Sequence, residues 1–152
     1  MNVTITIDDK SVRDRLAKIA RQMPGKIDDA LFVVAQQGIN VIQDRTAGGR
    51  GYKGPFEGYT ASYASSKASG WARSSSRPGF GGDASGTVNL NVTGKMMSSM
   101  AARKGRGMAE IVFTRQTEAR KAAFNNRKRP FFGLNSSEQK RLVKLFQRRA
   151  FQ

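Results

Sequence analysis

Three groups of residues in this 152-residue chain have types and spacings that could support chemistry. The first is a glycine-rich run at residues 49–54, Gly-Arg-Gly-Tyr-Lys-Gly, which has the glycines and cations of a phosphate-binding loop. Its spacing matches neither the P-loop nor the dinucleotide-binding fingerprint, and no apolar strand precedes it. A flexible loop with solvated cations is therefore the simpler interpretation.

The second group consists of two pairs of carboxylates, Asp8-Asp9 and Asp28-Asp29. A hydrolase that works with paired carboxylates needs both groups to face one substrate bond. Each pair lies instead where a helix is expected to begin. Because the helix dipole and the unpaired backbone N–H groups favour negative charge at that place, we interpret both pairs as helix caps.

The chain has no histidine and no cysteine. It therefore lacks the commonest general base, the commonest transition-metal ligand and every thiolate ligand. The other acidic residues fall into no ligand spacing. We expect no enzymatic activity and no cofactor.

The third group is the basic C-terminal part, where residues 120–152 contain ten Lys or Arg residues and one acid, Glu138, in a chain of formal net charge +16. Such a charge favours an anionic partner: nucleic acid, an anionic membrane surface or an acidic protein. Interleaved phenylalanines are typical of single-stranded nucleic-acid binding by stacking and phosphate contacts. Phe146, however, shares a helix face with Leu142 and Val143, which favours a core position. The predicted basic surface consists of Arg127, Lys128, Lys140, Arg141, Lys144, Arg148 and Arg149.

The elements that position these groups begin with a predicted strand at residues 3–7, where β-branched residues alternate. Apolar residues at helical spacing then predict two helices, at about residues 10–22 and 26–45, separated by Pro24-Gly25. The second helix is apolar on more than one side, which is typical of a central core helix. The start of the chain lacks the pattern of a signal peptide, and no stretch approaches the length of a membrane-spanning helix.

Residues 48–87 are rich in glycine and serine, and we interpret them as an irregular arm of a single domain that spans residues 1–152. Aromatic residues in such an arm favour docking on a surface. A four-residue spacing within it predicts a short helix at residues 60–69 with one aromatic edge. The residues with this spacing are Tyr59, Tyr63 and Lys67. A short strand is predicted to follow at residues 88–90.

The remaining pattern predicts a turn into a short helix at residues 91–100, a hairpin turn at 103–107 and a strand at 108–114. A helix is expected at residues 115–125, and the last helix is expected to be capped by residues 136–138. The predicted fold class is α+β: an antiparallel sheet of three to five strands packed by long helices, with a long Gly/Ser-rich arm.

Three blocks of the sequence, in this order, resemble the tail-completion and virion-morphogenesis proteins of tailed bacteriophages. The first block contains Gly58, Tyr59, Tyr63 and Lys67. The second contains Leu90, Thr93, Gly94, Met96, Ser99 and Met100. The third is residues 129–134, Arg-Pro-Phe-Phe-Gly-Leu, which lead into the last helix. The N-terminal strand and helices are similar to the start of the related tail-component family of lambdoid phages.

The resemblance implies a non-enzymatic structural protein of the virion, located at the head–tail neck or the upper end of the tail and assembled in the host cytoplasm. Proteins of this kind form closed homo-oligomeric rings, commonly hexamers, and carry out tail completion, tail termination or head–tail joining. The implied partners are further copies of the chain, neighbouring neck or tail proteins and the genome DNA in the channel, with no membrane.

A ring needs a heterologous interface, in which one patch meets a different patch on the next subunit. The expected contributors to contacts with subunits or neighbouring rings are Tyr59, Tyr63, Trp71, Phe80, Arg129, Pro130, Phe131, Phe132 and Leu134. For Phe131, Phe132 and Leu134 the alternative is the core of the subunit itself. The alternative function is a stand-alone basic nucleic-acid-binding protein.

Overall fold

The computed structural model describes residues 10–69, 88–90 and 93–151, and the side chains of 10–17, 19 and 20 lie outside this description. Helix and antiparallel strand are both present, in agreement with the predicted α+β class. In chain order the elements are α1 (Lys10–Ala47), β1 (Arg50–Gly51), β2 (Gly54–Pro55), α2 (Ala61–Ala68), α3 (Lys95–Ser98), β3 (Met100–Gly105), β4 (Met108–Phe113), α4 (Gln116–Lys128) and α5 (Ser136–Phe151). The predicted strand at residues 3–7 and residues 70–87 of the arm lie outside the described residues. Within the described ranges no helix is both long and apolar enough to cross a membrane.

The first helix is a single element of 38 residues. The prediction of two helices separated by Pro24-Gly25 was therefore wrong. Pro24 lacks one helical N–H and costs about 3 kcal/mol in a helix interior. The helix continues because its C-terminal half is held by packing, with Ala30, Ile39 and Ile42 buried. At 1.5 Å per residue, α1 is about 57 Å long.

The carboxylates of Asp28 and Asp29 consequently lie inside α1 and do not cap a helix. Asp28 Oδ1 accepts a hydrogen bond of 2.6 Å from the backbone N–H of Gly107, and Asp29 pairs with Lys104 Nζ at 2.5 Å. Both carboxylates therefore hold the turn of the β3–β4 hairpin against the helix. The other pair, Asp8-Asp9, lies outside the described residues.

The described strands form two separate two-stranded antiparallel sheets. In the larger sheet Met100 pairs with Phe113 and Gly105 with Met108, and Gly107 adopts a positive φ of 66° in the turn. The predicted strand at residues 108–114 is present as β4, and the hairpin turn is shorter than the predicted 103–107, because β3 extends to Gly105. The sequence predicted a turn into a short helix at residues 91–100, and α3 is that helix, although Met100 already begins β3.

No strand forms at residues 88–90, where the prediction was wrong. The chain bends at Asn89, and Leu90 has a left-handed φ of 54°. A non-glycine residue in this region costs about 1–2 kcal/mol. Leu90 is nevertheless 9% exposed and packs in the core, so burial of its side chain offsets the strain.

Among the described residues the core lies between α1, the β3–β4 hairpin, α3, Leu90 and the segment that follows α4. Its buried cluster consists of Ile39, Ile42, Leu90, Met96, Met97, Met100, Ala122 and Phe131. Helix α1 packs against β3, β4 and α5, whereas α4 packs against α3 and β4. Gly38 permits the close approach of β4, because a Cβ there would lie 3.2 Å from Ile111 Cδ1.

Helix α5 begins with a capping box one residue earlier than predicted. Asn135 Oδ1 accepts from the backbone N–H of Glu138 at 2.9 Å, and Asn135 N–H donates to Glu138 Oε2 at 2.8 Å. These two bonds satisfy backbone groups that a helix start leaves unpaired. The cap fixes the direction in which α5 leaves residues 129–134.

Candidate functional site

The segment at residues 129–134 follows α4 and is fixed by backbone hydrogen bonds. Asn126 Oδ1 accepts from the N–H groups of Phe131 and Phe132, at 3.0 and 2.9 Å. Phe131 is 0% exposed. Phe132 and Leu134 are partly buried against the core, and the Phe132 ring lies 5.3 Å from that of Phe113. Between the alternatives that the sequence left open, Phe131 belongs to the subunit core, because it has no exposed surface for a neighbour.

Arg45, in the last turn of α1, also forms hydrogen bonds with the segment at residues 129–134. Its Nη2 donates to the carbonyl oxygens of Phe131 and Gly133 at 2.6 and 2.9 Å. Its Nη1 pairs with Glu138 Oε2 at 2.5 Å. One guanidinium thus joins the end of α1 to the start of α5, and the planar fork of arginine suits such multiple contacts.

The glycine-rich run at residues 49–54 packs against this segment as the β1–β2 hairpin. Tyr52 N–H donates to the carbonyl oxygen of Pro130 at 3.1 Å. A Cβ on Gly51 would lie 2.1 Å from that same oxygen, and a Cβ on Gly133 would lie 2.7 Å from the Tyr52 ring. The glycines therefore permit close backbone packing, which accounts for them without a phosphate ligand.

Arg129 links the segment to the chain before α2. Its Nε and Nη2 donate to the carbonyl oxygens of Glu57 and Gly58, each at 2.9 Å. The guanidinium carbon lies 4.8 Å from the centre of the Tyr59 ring, a cation–π distance. Arg129 therefore holds Tyr59 in place through both the backbone and the ring.

Tyr59 is also held from the side of residues 88–90. Its hydroxyl oxygen accepts from the backbone N–H of Leu90 at 3.2 Å. Lys67 Nζ, on α2, lies 5.5 Å from the same ring and donates to Asn89 Oδ1 at 2.8 Å. Burial raises the pKa of Tyr59 above its ordinary value, an effect larger than the opposing Leu90 hydrogen bond. The ring is a rigid, neutral platform.

The predicted helix with an aromatic edge is confirmed as α2, which Thr60 caps by accepting from Tyr63 N–H at 3.4 Å. The Tyr59 and Tyr63 rings meet edge to face with centres 4.7 Å apart. Tyr63 is 38% exposed, whereas Lys67 is 1% exposed. Tyr63 therefore lies at the surface, whereas Lys67, one helical turn later, is buried.

The three blocks of sequence that carry the phage resemblance therefore meet in space. Tyr59 of the first block contacts Leu90 of the second and Arg129 of the third. Leu90 and Phe131 share the buried core cluster with Met96. The blocks form one connected region, although up to 72 residues separate its hydrogen-bonded partners.

A cleft of about 640 Å³ opens beside this region, between α2 and α4. One wall comprises residues 57–60 and Tyr63, and the opposite wall is formed by α4. The α4 residues that line the cleft are Glu118, Lys121, Phe124, Asn125 and Lys128. Its volume falls in the range of sites that bind small molecules or segments of larger ones.

The predicted basic surface is exposed at all seven positions: Arg127, Lys128, Lys140, Arg141, Lys144, Arg148 and Arg149. Among the described residues none of the seven forms an ion pair with a carboxylate. Phe124 and Phe151, which lie among these cations on α4 and α5, are each 63% exposed. Lys128 Nζ lies 5.6 Å from the centre of the Phe124 ring.

The structure thus brings Tyr59, Tyr63 and Arg129 together, and it places Pro130 against the β1–β2 hairpin. Trp71 and Phe80 lie outside the described residues. Sequence reasoning missed Arg45 and Asn126, because an arginine at the end of a helix and an asparagine within one carry no local sign of a distant partner.

Within the described ranges no group of three or more acidic residues is placed to hold a metal ion. The arrangement offers aromatic faces, cations and backbone acceptors, all of which can bind a ligand. No protein-family profile, curated protein or solved structure matches the chain.

Proposed function

We propose that the chain is a structural protein of a tailed-phage virion and forms a homo-oligomeric ring at the head–tail neck or the upper end of the tail. The observation that carries this proposal is the contact between Tyr59, Leu90 and Arg129. These residues come from the three blocks that resemble tail-completion proteins. Blocks that are distant in sequence and adjacent in space are expected to act as one structural unit. The role proposed is non-enzymatic.

Ring closure requires two different surfaces on each subunit. Large apolar side chains are exposed on separate elements: Phe124 on α4, and Val143 and Phe151 on α5, at 63%, 54% and 63%. Helix α4 packs on α3 and β4, whereas α5 packs on α1. Two such faces on different elements provide the pair of patches that a heterologous interface uses.

The charge of the chain restricts how subunits can meet. Both exposed faces are basic, with Arg127 and Lys128 near Phe124 and Lys144 and Arg148 on α5. Like charges in direct contact oppose association. We therefore place the apolar side chains of the two faces between subunits and the cations at the edges of these contacts, toward acidic neighbouring proteins or the genome DNA in the channel. We also propose that the subunit contains the antiparallel sheet of three to five strands and the Gly/Ser-rich arm that its sequence predicts.

The mass of the assembly tests the proposal. Native mass spectrometry of the purified chain, with negative-stain imaging, should show a closed ring of a single stoichiometry, six subunits being the expected number. In virions that carry the chain, antibodies against it should label the head–tail junction. The proposal would be contradicted if the protein stays monomeric at all concentrations and salt conditions and is missing from virions.

The alternative is a stand-alone nucleic-acid-binding protein, which is favoured by the seven exposed cations of α4 and α5, none of them paired with a carboxylate among the described residues. Such a protein would bind duplex DNA as a monomer, with an affinity that falls steeply as salt rises because bound counterions are released. The same mass measurement, repeated with DNA present, separates a monomeric complex from a ring.

A further inference from the structure

We propose that the cleft between α2 and α4 binds a short single-stranded segment of nucleic acid. The bases would stack on the aromatic side chains of the cleft, and the phosphates would contact the cations of α4. This inference goes beyond the proposed ring and concerns the subunit in which Phe124 is exposed, because the cleft lies within one subunit.

The aromatic part of the site has one exposed ring on each wall. Phe124 on α4 and Tyr63 on α2 both line the cleft and are 63% and 38% exposed. The ring of Phe124 does not belong to the buried core cluster of this subunit, so its face is open to a ligand. Base–aromatic stacking accepts any base, since every base has a π-face.

Tyr59 and Tyr63, which line one wall of the cleft, are held in place by contacts within the protein. Tyr59 is held by the Leu90 N–H group and the Arg129 guanidinium, and Tyr63 rests edge-on against it at 4.7 Å. A preorganised ring loses little freedom on binding, so more of the stacking energy contributes to affinity.

The cations that line the cleft outnumber its carboxylates by three to two. Lys121, Lys128 and Arg129 line the cleft together with the carboxylates of Glu57 and Glu118. Glu118 is 5% exposed and is paired with Lys121 at 2.9 Å. Arg129 donates to carbonyl oxygens and not to a carboxylate, so its charge stays uncompensated by that contact.

Further positively charged residues lie along the outer side of α4, beside the cleft. Arg120 and Arg127 lie four and three residues from Phe124, which places all three on one exposed helix face. A ring flanked by cations on both sides suits a chain of alternating bases and phosphates. An acidic peptide would use the cations but would leave the aromatic walls without stacking partners.

Stacking within a cleft requires bases that are free of a duplex, so single strands are favoured over double-stranded DNA. The direct test is fluorescence anisotropy with a labelled oligothymidylate and a labelled duplex of equal length, at one fixed salt concentration. The chain should bind the single strand more tightly. The variant Phe124→Ala should bind it about tenfold more weakly, the loss expected for one stacking platform.

Phe151→Ala is the matched control, because Phe151 is equally exposed and also lies among cations, but outside the cleft. Phe151→Ala should change the affinity by less than about twofold, because its ring is not part of the site. Phe124→Trp should retain binding, since tryptophan also offers a face on which a base can stack. Circular dichroism and thermal unfolding of each variant confirm that it is folded. Ultraviolet cross-linking of the unmodified protein should attach thymine to Phe124 or Tyr63.

Three results would overturn the proposal. Equal losses for Phe124→Ala and Phe151→Ala would show a diffuse electrostatic attraction instead of a site. Cross-links confined to α5 would locate the binding elsewhere. Competition by polyglutamate as strong as by oligothymidylate at equal charge would identify an acidic protein segment as the ligand. Because Phe124 and Phe151 are also exposed patches of the proposed ring, native mass spectrometry gives the oligomeric state of each variant, and affinities are compared between species of the same stoichiometry. The two proposals can then fail separately.

Discussion

Arg45 and Glu138 form an ion pair at 2.5 Å, although 93 residues separate them in the chain. Their side chains are only 10% and 11% exposed. The same guanidinium donates to the carbonyl oxygens of Phe131 and Gly133. This contact determines how α5 and residues 129–134 sit on the end of α1.

Replacing Arg45 with methionine should lower the free energy of unfolding by about 3–5 kcal/mol. The reason is that removing one partner leaves a carboxylate in a buried position without its counter-charge. The midpoint of urea unfolding measures the effect. Arg45→Lys is the control, since it keeps the charge but cannot reach all three acceptors. Its unfolding midpoint should fall between those of the unmodified protein and Arg45→Met. An unchanged midpoint for Arg45→Met would contradict the role assigned to the pair.

Asn126→Ala should destabilise the protein by about 1–3 kcal/mol, because the N–H groups of Phe131 and Phe132 lose their shared acceptor. Asn126→Asp keeps an acceptor oxygen at the same place and should cost less. Chemical denaturation of both variants gives the comparison. If the two variants are equally stable, the hydrogen bonds from Asn126 do not hold the segment.

Gly51→Ala should destabilise the protein by about 1–3 kcal/mol, because a Cβ would lie 2.1 Å from the Pro130 carbonyl oxygen and the backbone would have to move. Gly58→Ala is a matched change in the same part of the chain, and no atom lies within 4 Å of its Cβ position. Thermal unfolding should separate the two variants clearly. Equal melting temperatures would mean that the hairpin does not pack on Pro130 in solution.

The buried ring of Tyr59 predicts a loss of stability at alkaline pH. Burial raises the pKa of Tyr59 in the folded protein above the ordinary value of 10.0. The unfolded chain therefore loses this proton first as the pH rises, and the free energy of unfolding falls above about pH 10. Below that value both states keep the proton and Tyr59 contributes no pH dependence.

Tyr59→Phe tests this prediction. The variant should be less stable at neutral pH, because Leu90 N–H loses its acceptor. Its decline in stability above about pH 10 should nevertheless be shallower than that of the unmodified protein. Denaturant unfolding at a series of pH values measures both. Parallel declines in the two proteins would show that Tyr59 titrates normally when folded.

Local patterns in the sequence predicted the elements that depend on neighbours in the chain. The four-residue spacing of Tyr59, Tyr63 and Lys67 predicted α2, and the predicted β4 strand followed a predicted hairpin turn. Such signals arise within one turn of helix or one pair of strands. They are therefore visible in the sequence without any knowledge of tertiary contacts.

Tertiary contacts decided the remaining features. Pro24 predicted a helix break, but the packing of residues that follow it holds α1 in one piece. Leu90 predicted a strand, yet a bend brings its N–H to Tyr59. The residues that complete the candidate site, Arg45 and Asn126, act on partners that no spacing rule connects to them.

The distance along the chain between Arg45 and its partners also sets an order of events during synthesis. The last turn of α1 is complete 86 to 93 residues before the ribosome reaches Phe131 and Glu138. At typical rates of translation this interval is about 5–20 s. Throughout it, the apolar side of α1 lacks the phenylalanine that closes the core. A chain cut short before residue 131 would therefore lack this phenylalanine, and its apolar core would stay open to chaperones and proteases.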